Sequence, residues 1–207
     1  MSATEKDALS GLYGALVDEV QQLLRPALGD NKRFEASRLS QTGRRALVRA
    51  VFAFVEGQAY ALKQFALDVL GDLLSPAERA VCREESYELA DNGSVLVRSM
   101  RLRFLQNIRF ALTIIPKASN TTFELDVGGA GWRGLRDSLS VRDRLMHPKS
   151  AADLEVSDAD LDNTMAAFSW MQRETVRLFV DVIKTAWARA GHPDGPGSKK
   201  GPSNEEL

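Results

Sequence analysis

One long apolar stretch constrains the fold of this chain more than any other feature. The sequence "ALVRAVFAFVEGQAYALKQFALDVL", residues 46–70, is apolar around most of the circumference of a helix. A helix that is apolar on all sides is stable only where neighbouring elements cover it. We therefore predict a long helix from about Ser40 to Leu74 at the centre of a bundle.

Helical spacing dominates the rest of the chain as well. Apolar residues at three- and four-residue steps predict a first helix that Pro26 closes, and Ser75 with Glu78 forms a capping box that starts a third. The third and later helices are predicted at 75–89, 97–115, 132–146 and from Ser157 to before Gly191. Thr121–Val127 alternates like a strand inside a longer loop at about 116–131. The predicted class is all-α, an antiparallel helical bundle.

Composition indicates a single domain with no general attraction for nucleic acid or membrane. The chain has 207 residues and a formal net charge of −1, so binding of either partner must come from local charge. We predict one domain over residues 1–190 and a disordered tail at 191–207. The single Cys82 excludes an internal disulfide and a multi-cysteine metal site. With no membrane span or signal peptide in the pattern, a cytoplasmic location is expected.

Two motifs suggest ligand sites that their surroundings do not support. Gly129, Gly131 and Gly134 have the spacing of a dinucleotide-binding loop, and Asp153 lies where a ribose-binding acid would. That fold needs a second parallel strand before the acid, and no other region resembles a βαβ unit, so we interpret the glycines as sites of loop flexibility and close helix approach. The acidic run at 153–162 lacks the glycine and glutamate of a calcium loop. We therefore predict no metal site and no cofactor.

Glu56 is a charged residue in the apolar middle of the long helix. Arg49 precedes it by seven residues on nearly the same face, and Tyr60 follows one turn later. An unpaired carboxylate there would be costly to bury. We prefer the interpretation that Glu56 and Arg49 form a buried ion pair. The alternative is that Glu56 is a polar group held near an active surface.

The stretch "VRDRLMHPKS", residues 141–150, contains the most reactive combination of side chains. Asp143 and His147 are one helical turn apart, and Arg142 lies on a neighbouring face. Histidine is suited to proton transfer near neutral pH, and an arginine fork is suited to stabilising charge on a phosphate. The competing interpretation is a helix end at which basic residues complement the helix dipole. From these residue types alone we favour that second interpretation.

The sequence resembles the HEPN domains, helical-bundle proteins that include many ribonuclease toxins and phage-defence effectors. The resemblance lies first in "RDRLMH", residues 142–147, an arginine followed by a polar residue and then a histidine five positions on. "RALVRAVFAFVEGQAYALK" resembles the family's long apolar helix, which carries an acidic residue, here Glu56. "GWRGLRDSLSVRDRLMHPKSAADLEVSDADL", followed by Trp170, is similar to one bacterial subgroup. The resemblance covers about residues 40–185.

This resemblance implies a metal-independent endoribonuclease of the toxin or phage-defence type. Arg142, Asp143 and His147 take the family's catalytic positions, in a cleft between two protomers where the 2′-hydroxyl attacks the adjacent phosphate. His147 would be the acid/base group, Arg142 the phosphate stabiliser and Asp143 the group that orients them. In-line cleavage benefits from a proton acceptor and a proton donor, and a two-fold interface would supply a second His147.

Other residues and partners follow from the same resemblance. Phosphate-binding roles are predicted for Arg144, Lys149, Arg101 and Arg103, and supporting roles for Glu56 and Arg49. The predicted partners are RNA, a second copy of the chain and a cognate inhibitor or defence-system protein, with no membrane. Some members of the family are not catalytic. A non-catalytic HEPN module that binds a nucleotide or a partner protein is therefore the alternative function.

Overall fold

The chain is mostly helical, with one small β-hairpin. The structure, a computed structural model, describes residues 3–30 and 32–191, with side chains from residue 10 onward. Over this part the helices and strands are α1 (Ala3–Leu24), α2 (Gln41–Leu70), α3 (Pro76–Cys82), β1 (Glu85–Leu89), β2 (Val95–Ser99), α4 (Phe104–Ser119), α5 (Ala130–Met146) and α6 (Asp158–Arg189). The prediction of a mostly helical fold is confirmed. The predicted tail at 191–207 lies, except for Gly191, outside the described residues.

Helix α2 is the centre of the fold, as the apolar stretch predicts. It contacts each of the other five α-helices. The Ser40 side chain caps it by accepting a hydrogen bond from the backbone N–H of Gly43. Phe54, at its middle, packs edge-on against Phe168 of α6 with 4.9 Å between the ring centroids. The helix ends at Leu70, and a single 3₁₀ turn follows it.

Two predicted helix ends are wrong. The helix predicted at 75–89 ends earlier, and the helix predicted at 97–115 begins later. Helix α3 stops at Cys82, and Glu84 then adopts φ +57°, which a helix cannot continue through. Strand β1 pairs antiparallel with β2 around a turn at Gly93, which has φ +80°. Helical spacing did not predict the hairpin. It placed the β-branched residues near 97 on a helix face, whereas Val95 and Val97 are exposed in strand β2.

The predicted strand at Thr121–Val127 is also wrong. The segment is extended, but no second strand lies beside it in the described chain. Side chains of α6 satisfy its backbone instead: Trp170 Nε1 donates to the Asp126 carbonyl at 2.8 Å, and Arg177 donates to the Glu124 carbonyl. The alternation of apolar and polar residues at 121–127 therefore belongs to a single extended segment that packs on the core.

The glycines of the false dinucleotide motif let α5 approach α6 closely. A Cβ added at Gly131 would lie 2.3 Å from Trp170 Cβ, and one added at Gly134 would lie 2.7 Å from the Asn163 carbonyl oxygen. Trp132 and Trp170 meet in this contact with 5.3 Å between the ring centroids. The interpretation of close helix approach is confirmed. The predicted starts of α5 and α6 and the end of α5 near Met146 are confirmed as well.

Helix α3 provides a pH-dependent contribution to stability. Hydrogen bonds from Lys117 Nζ and then from Ser75 lower the pKa of Glu78 from 4.5 to about 2. A carboxyl with a lowered pKa stabilises the fold above its unfolded-state pKa and loses that effect as the pH falls through the folded-state pKa. We expect Glu78→Gln to destabilise the protein at pH 7, with the difference from wild type shrinking between about pH 4.5 and 2. Urea unfolding across this range measures the difference, and Glu19→Gln, which changes an exposed carboxyl on α1, is the control.

Two further properties of the described residues bear on the site. No helix among them is long and apolar enough to cross a membrane. Cys82 is buried, and burial raises the pKa of its thiol to about 11. A thiol of this kind is unsuited to nucleophilic chemistry.

Candidate functional site

An open cavity of about 640 Å³ lies among α1, α2, α4 and α5. This volume is within the range of small-molecule sites. Its lining is both apolar and charged, and consists of Leu12, Leu16, Ala53, Glu56, Gly57, Tyr60, Glu84, Leu102, Phe104, Asn107 and Arg142. The cavity therefore brings one of the predicted catalytic residues next to groups from four separate parts of the chain.

Arg142 is the predicted catalytic residue that faces this cavity. Its guanidinium donates to Glu56 Oε1 at 2.9 Å and to Asp143 Oδ1 at 3.1 Å, and its side chain is 30% exposed. The guanidinium carbon also lies 6.0 Å from the centroid of the Phe104 ring. These two hydrogen bonds use two of the five N–H donors of an arginine. Two carboxylates thus hold the fork in one orientation and leave donors for an anion.

The predicted buried ion pair between Glu56 and Arg49 is wrong. The Glu56 side chain is 46% exposed and bonds Arg142, whereas Arg49 donates to the backbone carbonyl of Leu145 at 3.1 Å. Seven residues along a helix correspond to a rise of roughly 10 Å, and α5 crosses α2 near enough to offer a partner to each. The alternative interpretation, a polar group near a candidate active surface, describes the position of Glu56. Both residues still connect α2 to the motif helix.

His147 lies at the end of α5 and is exposed. Its backbone N–H donates to the Asp143 carbonyl at 3.1 Å, and its φ of −133° ends the helix before Pro148, as predicted. The Asp143 carboxylate bonds Arg142, and no hydrogen bond joins it to the imidazole within the described chain. Neither Asp143 nor His147 is among the described residues that line the cavity. Within a single protomer, therefore, Arg142 lines the cavity and His147 does not.

The predicted phosphate-binding residues fall into two groups. Arg144 donates to the carbonyls of Asp153 and Glu155 and to Asp160 Oδ2 at 2.8 Å, so its guanidinium holds the loop before α6. A phosphate role for Arg144 would require these contacts to break.

The other three predicted phosphate-binding residues, Lys149, Arg101 and Arg103, are exposed. Leu102 and Phe104 line the cavity, but their neighbours Arg101 and Arg103 are not among the described residues that do.

A buried lysine behind the cavity wall was missed by sequence reasoning. Lys63 of α2 has no solvent exposure, and its Nζ donates to Glu84 Oε1 at 2.5 Å and to Asn107 Oδ1 at 2.8 Å. Glu84 and Asn107 both line the cavity. The signal was a lysine within the most apolar stretch of the chain. It could not name the partners, because they come from the turn before β1 and from α4.

Three of the five carboxylates in the acidic run at 153–162 make structural contacts. Asp160 forms a capping box with Ser157 and an ion pair with Arg144, and Asp158 pairs with Arg44 at 2.6 Å. Backbone N–H groups, first that of Lys149, and the Ser150 hydroxyl lower the pKa of Asp153. No group of three or more His, Cys, Asp or Glu side chains suited to a metal ion occurs in the part of the chain that the structure describes.

Comparison with known proteins does not assign this site. No protein-family model matches the chain, and no match was found among curated proteins or among solved structures. A helical fold alone does not decide function, because similar bundles carry unrelated activities. The function must therefore be inferred from the chemistry of the site.

Proposed function

We propose that the protein is a HEPN-type, metal-independent endoribonuclease that acts as a homodimer in toxin or phage defence. The observation that carries this proposal is the placement of Arg142 on the wall of an open cavity, with its fork oriented by Glu56 and Asp143. A pre-oriented guanidinium is suited to stabilising charge that develops on a phosphate. The exposed His147, five residues later in the chain, supplies a proton-transferring group.

The proposed reaction needs a proton acceptor and a proton donor at opposite ends of the phosphate. The 2′-oxygen attacks phosphorus and forms a P–O bond while the bond from phosphorus to the 5′-oxygen breaks. His147 takes the proton of the 2′-hydroxyl, and His147 of the partner subunit protonates the leaving 5′-oxygen. The products are a 2′,3′-cyclic phosphate and a 5′-hydroxyl. Arg142 stabilises the charge on the phosphate oxygens in the transition state.

A second copy of the chain would complete this site. Three large apolar side chains beside it are at least 41% exposed: Leu12 and Tyr60, which line the cavity, and Met146, which precedes His147. Exposed apolar groups around a polar site are typical of surfaces that another molecule covers. A two-fold interface here would bring the His147 side chains of the two protomers into one shared groove. The exposed Arg101 and Arg103 would then contact the RNA backbone.

Incubation of the purified protein with RNA in EDTA tests the proposal. We expect cleavage to persist in excess chelator and to leave cyclic phosphate termini, because no step requires a metal ion. Light scattering on the same sample should give the mass of a dimer. A requirement for added Mg²⁺, or a strictly monomeric active species, would contradict the mechanism.

The alternative is a non-catalytic module that binds a nucleotide or a partner protein through the same cavity. It is favoured by one observation: His147 does not line the cavity that holds Arg142 in the protomer. A module of this kind would leave RNA intact in the assay above while still dimerising or binding its partner. Cleavage in EDTA decides between the two functions.

A further inference from the structure

The buried Lys63 fixes how two cavity residues present their polar atoms. An ammonium group only donates hydrogen bonds, so the side chain of Asn107 must turn its Oδ1 toward Nζ, where it lies at 2.8 Å. The amide –NH₂ is then left on the cavity side. Glu84 uses Oε1 on the same ammonium, at 2.5 Å, which leaves Oε2 as an acceptor. One buried charge thereby holds a donor beside an acceptor.

The side chains around Asn107 and Glu84 are suited to binding a flat, partly apolar ligand. Tyr60 and Phe104 contribute rings to the lining, and Leu102 adds apolar surface. Arg142 lies on the wall of the same cavity, where it can meet a phosphate attached to that ligand. Single-stranded RNA is read in this way, by stacking of an unstacked base on aromatic rings and by hydrogen bonds to its Watson–Crick edge.

We propose that the cavity binds one unstacked nucleobase of the RNA substrate, and that Asn107 and Glu84 select guanine. The inference rests on the proposed ribonuclease function and names the specificity of the same site. Guanine carries a carbonyl acceptor next to two adjacent N–H donors on one edge. Asn107 Nδ2 donates to the carbonyl, and Glu84 Oε2 accepts from the ring N–H and the exocyclic amine. The other three bases offer no pair of neighbouring donors to a carboxylate.

Binding of the four nucleoside 5′-monophosphates, measured by calorimetry in EDTA, tests this inference. A second arm uses 2′-O-methyl oligonucleotides of adenosine with and without one guanosine, which cannot be cleaved. We expect the guanine-containing probe to bind at least about 10-fold more tightly, since an unmet hydrogen bond in a partly buried site costs about that factor. Tight binding of GMP would show that a free guanine nucleotide is sufficient to occupy the base site. Preference in the oligonucleotide alone identifies a base within RNA.

Asn107→Asp removes the donor but keeps the oxygen that bonds Lys63, so the fold should survive. Gln106→Glu is the matched control, because it makes the same change at an exposed neighbouring position of α4. We expect Asn107→Asp to abolish the guanine preference and Gln106→Glu to retain it, with circular dichroism showing both folded. Glu84→Gln should weaken the preference as well.

The outcomes separate this inference from the proposed function. Equal affinity for all four bases, no binding of either probe, or a guanine preference unchanged in Asn107→Asp overturns the base site. RNA cleavage at every base in that variant and in wild type alike also overturns it and leaves the ribonuclease intact. Guanine binding that Asn107→Asp abolishes, without any cleavage of RNA, supports the base site and rejects the ribonuclease.

Discussion

His147→Ala is expected to lower the rate of RNA cleavage at least about 100-fold, because positioned general acid–base groups contribute roughly 10²–10⁴. In the proposed dimer the substitution removes both the proton acceptor and the proton donor. Single-turnover cleavage of a labelled RNA, with enzyme in excess, measures the rate of the chemical step. The variant should unfold at the same denaturant concentration as wild type, because the side chain is exposed at the end of α5.

Two comparisons give this prediction its specificity. His192→Ala changes the only other histidine of the chain and should leave the rate unchanged. Arg142→Lys should lie between wild type and Arg142→Ala, because a lysine keeps the charge but cannot maintain the two-armed contact with Glu56 and Asp143. Full activity of His147→Ala would remove the basis of the proposed mechanism.

Gly134→Ala is expected to lower the free energy of unfolding by about 1–3 kcal/mol, the usual range for overpacking a well-packed contact. The added Cβ would lie 2.7 Å from the Asn163 carbonyl oxygen and 3.0 Å from Ala166 Cβ. The first of these atoms belongs to the backbone of α6, so relief requires the two helices to separate. Denaturant unfolding, monitored by circular dichroism, measures the loss.

The matched control for this substitution is Gly14→Ala. Gly14 also lies inside a helix, but nothing lies within 4 Å of the position that its Cβ would take. Alanine is the better helix former by about 1 kcal/mol, so this change should stabilise the protein. Opposite signs at the two positions would show that packing between α5 and α6 decides the result. A stabilising effect of Gly134→Ala would mean that the helices are not in close contact.

The sequence predicted those elements whose signals are local and strong. The apolar circumference of α2 indicated a central helix, and the caps at Ser75 and Ser157 marked two helix starts at the observed positions. The hairpin was missed because Glu84, with φ +57°, ends α3 and Gly93, with φ +80°, reverses the chain between the strands. Periodicity carries no information about a left-handed residue. Thr121–Val127 was misassigned because alternation alone does not supply a neighbouring strand.

The candidate site was predictable only where its residues are close in sequence. The 142–147 motif named Arg142, but Glu56, its partner across the helix contact, was predicted to pair with Arg49 instead. That assignment considered spacing within one helix, whereas the ion pair joins two helices whose crossing the sequence does not specify. The group formed by Lys63, Glu84 and Asn107 could not be found for the same reason, since its members are far apart in the chain.

The loop that follows His147 is fastened at both of its ends. Arg144 grips the carbonyls of Asp153 and Glu155, and the Asp153 carboxylate receives the backbone N–H groups of Lys149 and Ser150. The backbone that carries His147 is therefore held in place by hydrogen bonds. Ligand binding need restrict only the rotation of the imidazole about its own χ angles. Aligning the imidazole of His147 therefore costs little conformational entropy. This is an advantage for chemistry that depends on one side chain.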